Sequence, residues 1–337
     1  DSYREDYESN ERRIIMSVIV TGGAGFIGSC IVRTLNDMGI EDITIVDHIC
    51  ETDKWMNMRN KKYTEYINRD EFLEKLPEYA GKVTHIIHMG ACSATTERDF
   101  DFLYKNNYEY TKTLWKFCTE NQISFIYASS AATYGDGKEG FDDKEDIKRL
   151  RPLNGYGYSK QLFDLWAEKQ TIAPKQHVGF KFFNVYGPNE YFKGSMASVI
   201  FHSFNKINET GEMGLFKSYK EGYEDGGQLR DFVYVKDICK VVKFMIEHEE
   251  VSGLFNLGTG QARSFYDLAA STFKAMGLEP NIKYIEMPES LRAKYQYYTQ
   301  ANMEKLRNVG YADDFYSLED GAKDYVQNYL MKNYETY

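Results

Sequence analysis

Cysteine is scarce in this chain. Five occur, at Cys30, Cys50, Cys92, Cys118 and Cys239, an odd number with no Cys-x-x-Cys pair. That usage excludes a disulfide scaffold and points to a reducing, cytoplasmic setting with free thiols. Small buried core residues are the ordinary role for such thiols, with a catalytic cysteine as the sharper alternative. No segment approaches the roughly 18 uninterrupted apolar residues of a membrane helix. The net charge is −10 and no long run of Lys and Arg appears, so neither nucleic acid nor an anionic membrane is expected as the main partner. A basic pocket for an anionic small molecule is still compatible with that balance. His-Glu-x-x-His motifs and cysteine clusters are missing, and no metal site is expected. Repeats and low-complexity tracts are missing too. The first fifteen residues are rich in charge and lack the apolar core of a signal peptide; residues 1–15 read as an arm, loosely docked over Asp1–Arg12.

What is present is a long alternation of short β-rich runs and longer helical ones. The chain has 337 residues, of which 42% are apolar, enough for one large α/β unit with a second lobe. Strands are expected at Ser17–Val20, Ile43–Val46, Val83–His88, Ile123–Tyr127 and Val178–Phe183. Helices are expected at Phe26–Met38, at about Thr95–Glu120 and at Tyr156–Gln170. Strands that are apolar almost throughout, separated by helices, predict a parallel sheet covered on both faces. Beyond Tyr186 the alternation fails. The stretch Gly187–Gly227 reads as loop-rich, with a helix near Ser198–Asn208 and an exposed, mobile connection at Glu221–Gly227. A helix at Val233–His248 and a strand at Leu254–Leu257 then resume the pattern. The expected fold is a doubly wound Rossmann sheet over 16–186 plus about 232–260. A smaller, discontinuous mixed α/β lobe is expected over 187–231 plus about 261–337.

The clearest motif is Thr21-Gly22-Gly23-Ala24-Gly25-Phe26-Ile27-Gly28, directly after a strand and opening a helix. Gly22, Gly25 and Gly28 suit, in turn, a tight turn, backbone approach to a pyrophosphate, and close helix–sheet contact. The helix N-terminus offers unsatisfied N–H groups and a positive dipole end to phosphate. Asp47 follows at the end of the second strand, where a carboxylate can accept from a ribose hydroxyl. It favours NAD, since a 2′-phosphate would meet a negative charge. His48, Lys54 and Arg69 lie near in sequence and can offset that charge, although their spacing alone reads as solvated surface. Met89-Gly90-Ala91-Cys92-Ser93 follows another strand, and its small residues admit a cofactor. His85 and His88 are three apart on a strand, so they point to opposite faces and cannot chelate one ion.

Tyr156 and Lys160 stand four apart in a predicted helix, which puts them on one face. A phenol with an ordinary pKa near ~10 is a poor base at neutral pH; a neighbouring ammonium stabilises the phenolate. The pair suits removal of a hydroxyl proton while hydride leaves the same carbon. Ser129 and Ser130 follow a strand at the carboxyl edge where ligands bind in such sheets. Either hydroxyl can serve a reacting oxygen or merely satisfy local backbone groups.

Taken together, the stretches Thr21–Ser29, Ser129–Gly135, Tyr156–Lys160, Phe183–Pro188, Arg230–Val235 and Phe255–Gly260 resemble the extended short-chain dehydrogenase/reductases that act on sugar nucleotides, the NAD-dependent epimerase/dehydratase family. The likeness runs from Ser17 almost to the C-terminal residue. Gly90–Glu97, Tyr186–Pro188 followed by Lys193–Ser198, and Tyr295–Gln300 are more specific. They are similar to the branch that inverts the exocyclic C6 centre of an ADP-linked heptose. The resemblance implies Tyr156 as proton acceptor, Lys160 as its activator and ribose ligand, Ser130 as hydroxyl partner and Lys193 as a second acid/base. It implies cofactor contacts at Phe26, Ile27, Asp47, His48, Lys54, Arg69, residues 89–93, Asn106 and Val185. Substrate contacts are implied at Asn184, Ser195, His202, Phe216, Arg230 and Tyr295, and the Arg230 fork suits phosphate oxygens.

The implied cofactor is NADP, with NAD as the alternative, one per subunit and tightly bound because it ends each turnover unchanged. The implied assembly is a homo-oligomer, with a pentamer the form suggested. The chain departs from the family pattern in three places. His48 stands where Asn is common, Met89 replaces a Glu, and extra residues run from Lys217 through Gly227. A UDP-sugar 4-epimerase is the nearest rival, with Lys193-Gly194-Ser195 against it. Dehydration is disfavoured because Ser130-Ala131-Ala132 stands where dehydratases carry Asp-Glu. A non-catalytic dinucleotide sensor is the rival from another class, and the intact Tyr/Lys pair argues against it.

Overall fold

The computed structural model describes residues 15–337. The arm at Asp1–Arg12 lies outside the described residues. Among these, seven strands form one sheet in the order β11-β6-β5-β4-β1-β2-β3. They are β1 (Val18–Thr21), β2 (Ile43–Asp47), β3 (Glu65–Asn68), β4 (His85–His88), β5 (Ser124–Ser130), β6 (Gln176–Phe182) and β11 (Gly253–Leu257). Every neighbouring pair is parallel. Side chains alternate between two apolar layers. Val18 and Val20 join one buried cluster and Ile19 joins the other, as a strand covered on both faces requires.

One face carries α1 (Phe26–Asp37), which packs against a later helix, Val235–Glu247. The short α2 (Arg69–Lys75) follows β3. On the other face, the rings of Trp115 and Phe163 pack edge-on over Phe125 and Tyr127, and Trp166 packs in turn on Trp115 and Phe163. The helix expected from Thr95 starts only at Phe100, because the Asp99 carboxylate caps it by accepting the Phe102 N–H. It is then interrupted. After α3 (Phe100–Leu103) comes a π-helical turn, Tyr104–Glu109, and only then α4 (Tyr110–Asn121). Such inserted residues re-aim side chains and recur at functional sites. Strand β3 has no sequence signature because it is an edge strand in which only Ile67 is buried. Strand β5 runs three residues past the expected end, pairing with β6 as far as Ser130 opposite Phe182.

Helix α5 (Gly155–Glu168) is started by Asn154, whose side chain accepts the Gly157 N–H at 2.7 Å. The later segments build short sheets. They are β7 (Asn184–Tyr186) beside β10 (Phe232–Tyr234), β8 (Met213–Phe216) beside β13 (Ile282–Ile285), and β9 (Leu229–Arg230) beside β12 (Arg263–Ser264). Between them lie α6 (Val199–Thr210), α7 (Val235–Glu247), α8 (Phe265–Ala275), α9 (Glu289–Arg292), α10 (Glu304–Asn308) and α11 (Leu318–Asn328). Buried Asp231 fastens these segments together, accepting the N–H groups of Thr259, Gly260 and Ala301 at 2.8, 2.9 and 3.0 Å. The connection at Glu221–Gly227 is mostly exposed and makes local hydrogen bonds. Gly226 donates to the Phe216 carbonyl and Asp225 accepts from the Ser218 N–H. Among the described residues no helix is long and apolar enough to cross a membrane. All five cysteines are free thiols, with Cys30, Cys118 and Cys239 buried.

Candidate active site

Parallel pairing brings the carboxyl ends of β1, β4, β5 and β6 to one edge, and a cavity of about 830 Å³ runs along it. Its first wall is the glycine-rich turn. Gly22 has φ +66, and a Cβ there would lie 2.8 Å from the Gly90 nitrogen; only glycine lets the two turns touch. A Cβ on Gly28 would lie 2.0 Å from the Gly22 carbonyl oxygen, so helix α1 can sit against the turn only without one. Among the described residues no side chain caps α1, so its first N–H groups are left for a ligand. Gly22, Gly25, Phe26, Ile27 and Gly28 all line the cavity.

The second wall lies around Asp47, together with His48, Lys54 and Arg69. Both carboxylate oxygens of Asp47 accept hydrogen bonds. Its Oδ2 accepts the Ala24 N–H at 2.9 Å, and its Oδ1 accepts the His48 N–H at 2.7 Å and Lys54 Nζ at 2.8 Å. The carboxylate therefore ties the glycine-rich turn to the end of β2, and Lys54 neutralises it. The turn Met89-Gly90-Ala91-Cys92-Ser93 lines the floor, with Asn106 beside it. Beneath lies His88, with Nδ1 2.5 Å from Thr21 Oγ1 and Nε2 3.0 Å from Thr111 Oγ1. Burial drives its pKa down to about 3, so it is a neutral structural imidazole. Among the described residues no cluster of metal-ligating side chains occurs.

The third wall holds Ser129, Ser130, Tyr156 and Lys160. Burial raises the Tyr156 phenol, and the adjacent Ser130 hydroxyl opposes that rise. Lys160 is 4% exposed and donates from Nζ to the Ala128 carbonyl at 2.9 Å. Burial lowers its pKa to about 8, against the pull of Asp164 and Cys92. Lys193 enters from the loop after β7, with Nζ 5.5 Å from the Phe26 ring centroid. Burial lowers its pKa, and Glu190 opposes the change. Asn184 and Val185 line the cavity as well.

The other residues singled out from the sequence lie elsewhere. Ser195 and His202 are exposed, and neither lines the cavity, nor do Phe216, Arg230 and Tyr295. These last three nonetheless meet. Arg230 lies 5.3 Å over the Tyr295 ring and 5.4 Å over the Phe265 ring, and Phe216 packs edge-on to Tyr295. Burial lowers the Arg230 pKa, and among the described residues no carboxylate pairs with it.

Three supporting residues carry no sequence signal. Asn107, turned inward by the π-helical turn, accepts from the Cys92 N–H and donates to the Cys92 carbonyl and the Ser159 hydroxyl, at 2.9, 3.0 and 3.1 Å. It links the floor turn to helix α5. Asp164, 2% exposed, accepts from Ser129 at 2.7 Å. Its pKa is raised to about 6 by burial, against the pull of Lys181, Ser129 and Lys160. Glu190 is buried behind Lys193.

A turn that only glycine can make, an uncapped helix start and flanking cations fit a dinucleotide. Comparison with known proteins agrees. The pattern of the family described as NAD dependent epimerase/dehydratase matches residues 18–258. An ADP-L-glycero-D-manno-heptose-6-epimerase of Fusobacterium nucleatum is 55% identical over 326 residues, covering 94% of this chain and 98% of that protein. One of the same name from Nitratidesulfovibrio vulgaris is 52% identical over 315 residues, covering 93% and 97%. Among solved structures, the Helicobacter pylori ADP-L-glycero-D-manno-heptose-6-epimerase superposes with a TM-score of 0.77 at 28% identity, covering 93% of this chain and 96% of that one. The glycine-rich turn, the seven-stranded parallel sheet and a match across most of its length identify the chain as a member of the NAD dependent epimerase/dehydratase family.

Proposed function

We propose that the protein converts ADP-D-glycero-D-manno-heptose to ADP-L-glycero-D-manno-heptose, inverting C6 by transient oxidation to a 6-ketone with a tightly held nicotinamide cofactor. The observation that carries this reading is a single cavity reached by two candidate acid/base groups from different walls, Tyr156 on α5 and Lys193 on the loop after β7. An ordinary dehydrogenase needs one such group. Inversion needs a proton taken on one side of the carbon and returned on the other.

When bound, the nicotinamide supplies the hydride acceptor and donor. The chain's residues handle the proton and the orientation. Tyr156 takes the C6 hydroxyl proton, and Ser130 holds the same oxygen through its hydroxyl. The Lys160 ammonium stabilises the phenolate form that accepts this proton, a form that burial alone would leave scarcely populated. Rotation of the ketone within the cavity presents its other face, and Lys193 serves as the acid/base there. In this reading Arg230, Phe216 and Tyr295 form the outer subsite, where a guanidinium lying over aromatic rings receives the nucleotide pyrophosphate. Ser195 and His202 join it only if the loop and α6 rearrange around substrate. The two lobes are inferred to be 16–186 plus about 232–260, and 187–231 plus about 261–337. A homo-oligomer belongs to the same reading.

NADP is the proposed cofactor, with NAD as the alternative. Asp47 is neutralised by Lys54 at 2.8 Å, so it repels a 2′-phosphate less than a bare carboxylate would. Arg69 and His48 line the same end of the cavity.

Proton NMR of ADP-heptose incubated with the protein is expected to show inversion at C6. Tyr156→Phe is expected to abolish that inversion while the cofactor stays bound; normal turnover in the variant would refute the assignment. Arg69→Ala is expected to raise the Kd for NADP by about tenfold or more, the weight of a charge-assisted hydrogen bond, and to leave the Kd for NAD within about twofold. Equal losses for both would place Arg69 away from the phosphate. The Lys160 pKa sits below its ordinary value, at about 8, so its charge is present below that pH and lost above it. The kcat/KM profile is therefore expected to fall on the alkaline side with a midpoint near pH 8. A profile flat to about pH 10, near the ordinary lysine pKa, would contradict this.

A further inference from the structure

The loop carrying Lys193 is held at both ends by one carboxylate. Glu190 is 1% exposed. Its Oε1 accepts the Ser198 N–H at 2.5 Å. Its Oε2 accepts the Ser198 hydroxyl at 2.7 Å, the Tyr325 hydroxyl at 2.8 Å and the Gly187 N–H at 3.2 Å. Gly187 opens the loop, Ser198 ends it by capping α6, and Tyr325 stands on α11. Within this clasp the Lys193 N–H donates to the Glu190 carbonyl at 3.1 Å. The side chain then extends toward the Phe26 ring, at the start of the helix that follows the glycine-rich turn.

Burying a carboxylate is costly, and these partners are all neutral donors. Four donors converge on the two oxygens, which a carboxylate can accept together and a carboxamide, with one acceptor oxygen, cannot. Among the described residues, titratable groups that feel Glu190 include Cys30 on α1, Tyr191 in the loop and Tyr325 on α11. Burial pushes all three up, so they stay neutral. Among the described residues, Lys193 is a cation whose pKa the Glu190 carboxylate raises.

We propose that Glu190 is a positioning residue: its carboxylate clasps the Gly187–Ser198 loop and holds the Lys193 ammonium against the cofactor cavity. The inference rests on the reading of Lys193 as the second acid/base.

The test uses the full chain with its nicotinamide bound and ADP-heptose as substrate. Glu190→Gln is expected to lower kcat by about tenfold or more, within the range of acid/base effects. KM and cofactor content are expected to stay within about twofold. Should that variant not fold, Tyr325→Phe removes one donor that does not itself line the cavity and is expected to lower kcat by about threefold, the effect of one ordinary hydrogen bond. A merely structural role would lower Tm and leave the kcat of folded protein unchanged.

The pairing is read from a double-mutant cycle. Glu190→Gln added to Lys193→Ala is expected to cost no further kcat, whereas additive losses would overturn the proposal. Normal kcat in both Glu190→Gln and Tyr325→Phe, with lowered kcat in Lys193→Ala, would overturn the role of Glu190 alone. Normal kcat in Lys193→Ala would overturn the acid/base reading of that lysine and this inference with it.

Discussion

Parallel strand pairing is the constraint on which the site depends. Six neighbouring pairs run in the same direction, so the turns after β1, β4, β5 and β6 all open at one edge. Chain segments distant in sequence meet there without long excursions. The Gly22 turn touches the Gly90 turn because neither has a side chain to separate them. The extension of β5 to Ser130 then carries the serines toward helix α5. Its start at Asn154 sets the level of Tyr156 and Lys160 along the cavity.

Around this edge the electrostatics are those of buried ions supported from behind. Lys160 has Asp164 one helical turn beyond it, Lys193 has Glu190, and Lys54 has Asp47. In the first two cases burial depresses the lysine and the carboxylate opposes the change. An ammonium that is partly destabilised yet still charged near neutral pH can assist a phenolate or exchange a proton, where an exposed lysine would only solvate. His88, buried without such support and with Lys160 adding to the effect of burial, is driven neutral and serves the scaffold.

The parts of the site legible in the sequence are those whose logic is local. Three glycines at fixed spacing and a Tyr/Lys pair one turn apart each sit within a few residues, so periodicity and turn chemistry expose them. Asn107 reaches Ser159, 52 residues away, and Glu190 reaches Tyr325, 135 residues away; no window of sequence holds both partners. The π-helical turn that aims Asn107 has no compositional signature either. Strand β3 is silent in the sequence because an exposed edge strand carries little apolar pattern. Helix α3 starts later than periodicity suggests because Asp99, an ordinary acidic residue in the sequence, proves to be the cap. Phe216, Arg230 and Tyr295 are reached from sequence only through family resemblance, and folding alone shows why they belong together. Their aromatic and guanidinium faces pack on one another.

The central claim is that the hydrogen at C6 leaves as hydride toward the nicotinamide while Tyr156 and Lys193 move only the hydroxyl proton. ADP-heptose carrying deuterium at C6 tests this most directly. The label is predicted to remain in the product or in cofactor extracted from the protein, with no deuterium released to water. Loss of the label to solvent would mean that C6 is deprotonated instead, and would contradict the assignment of this cavity to reversible oxidation.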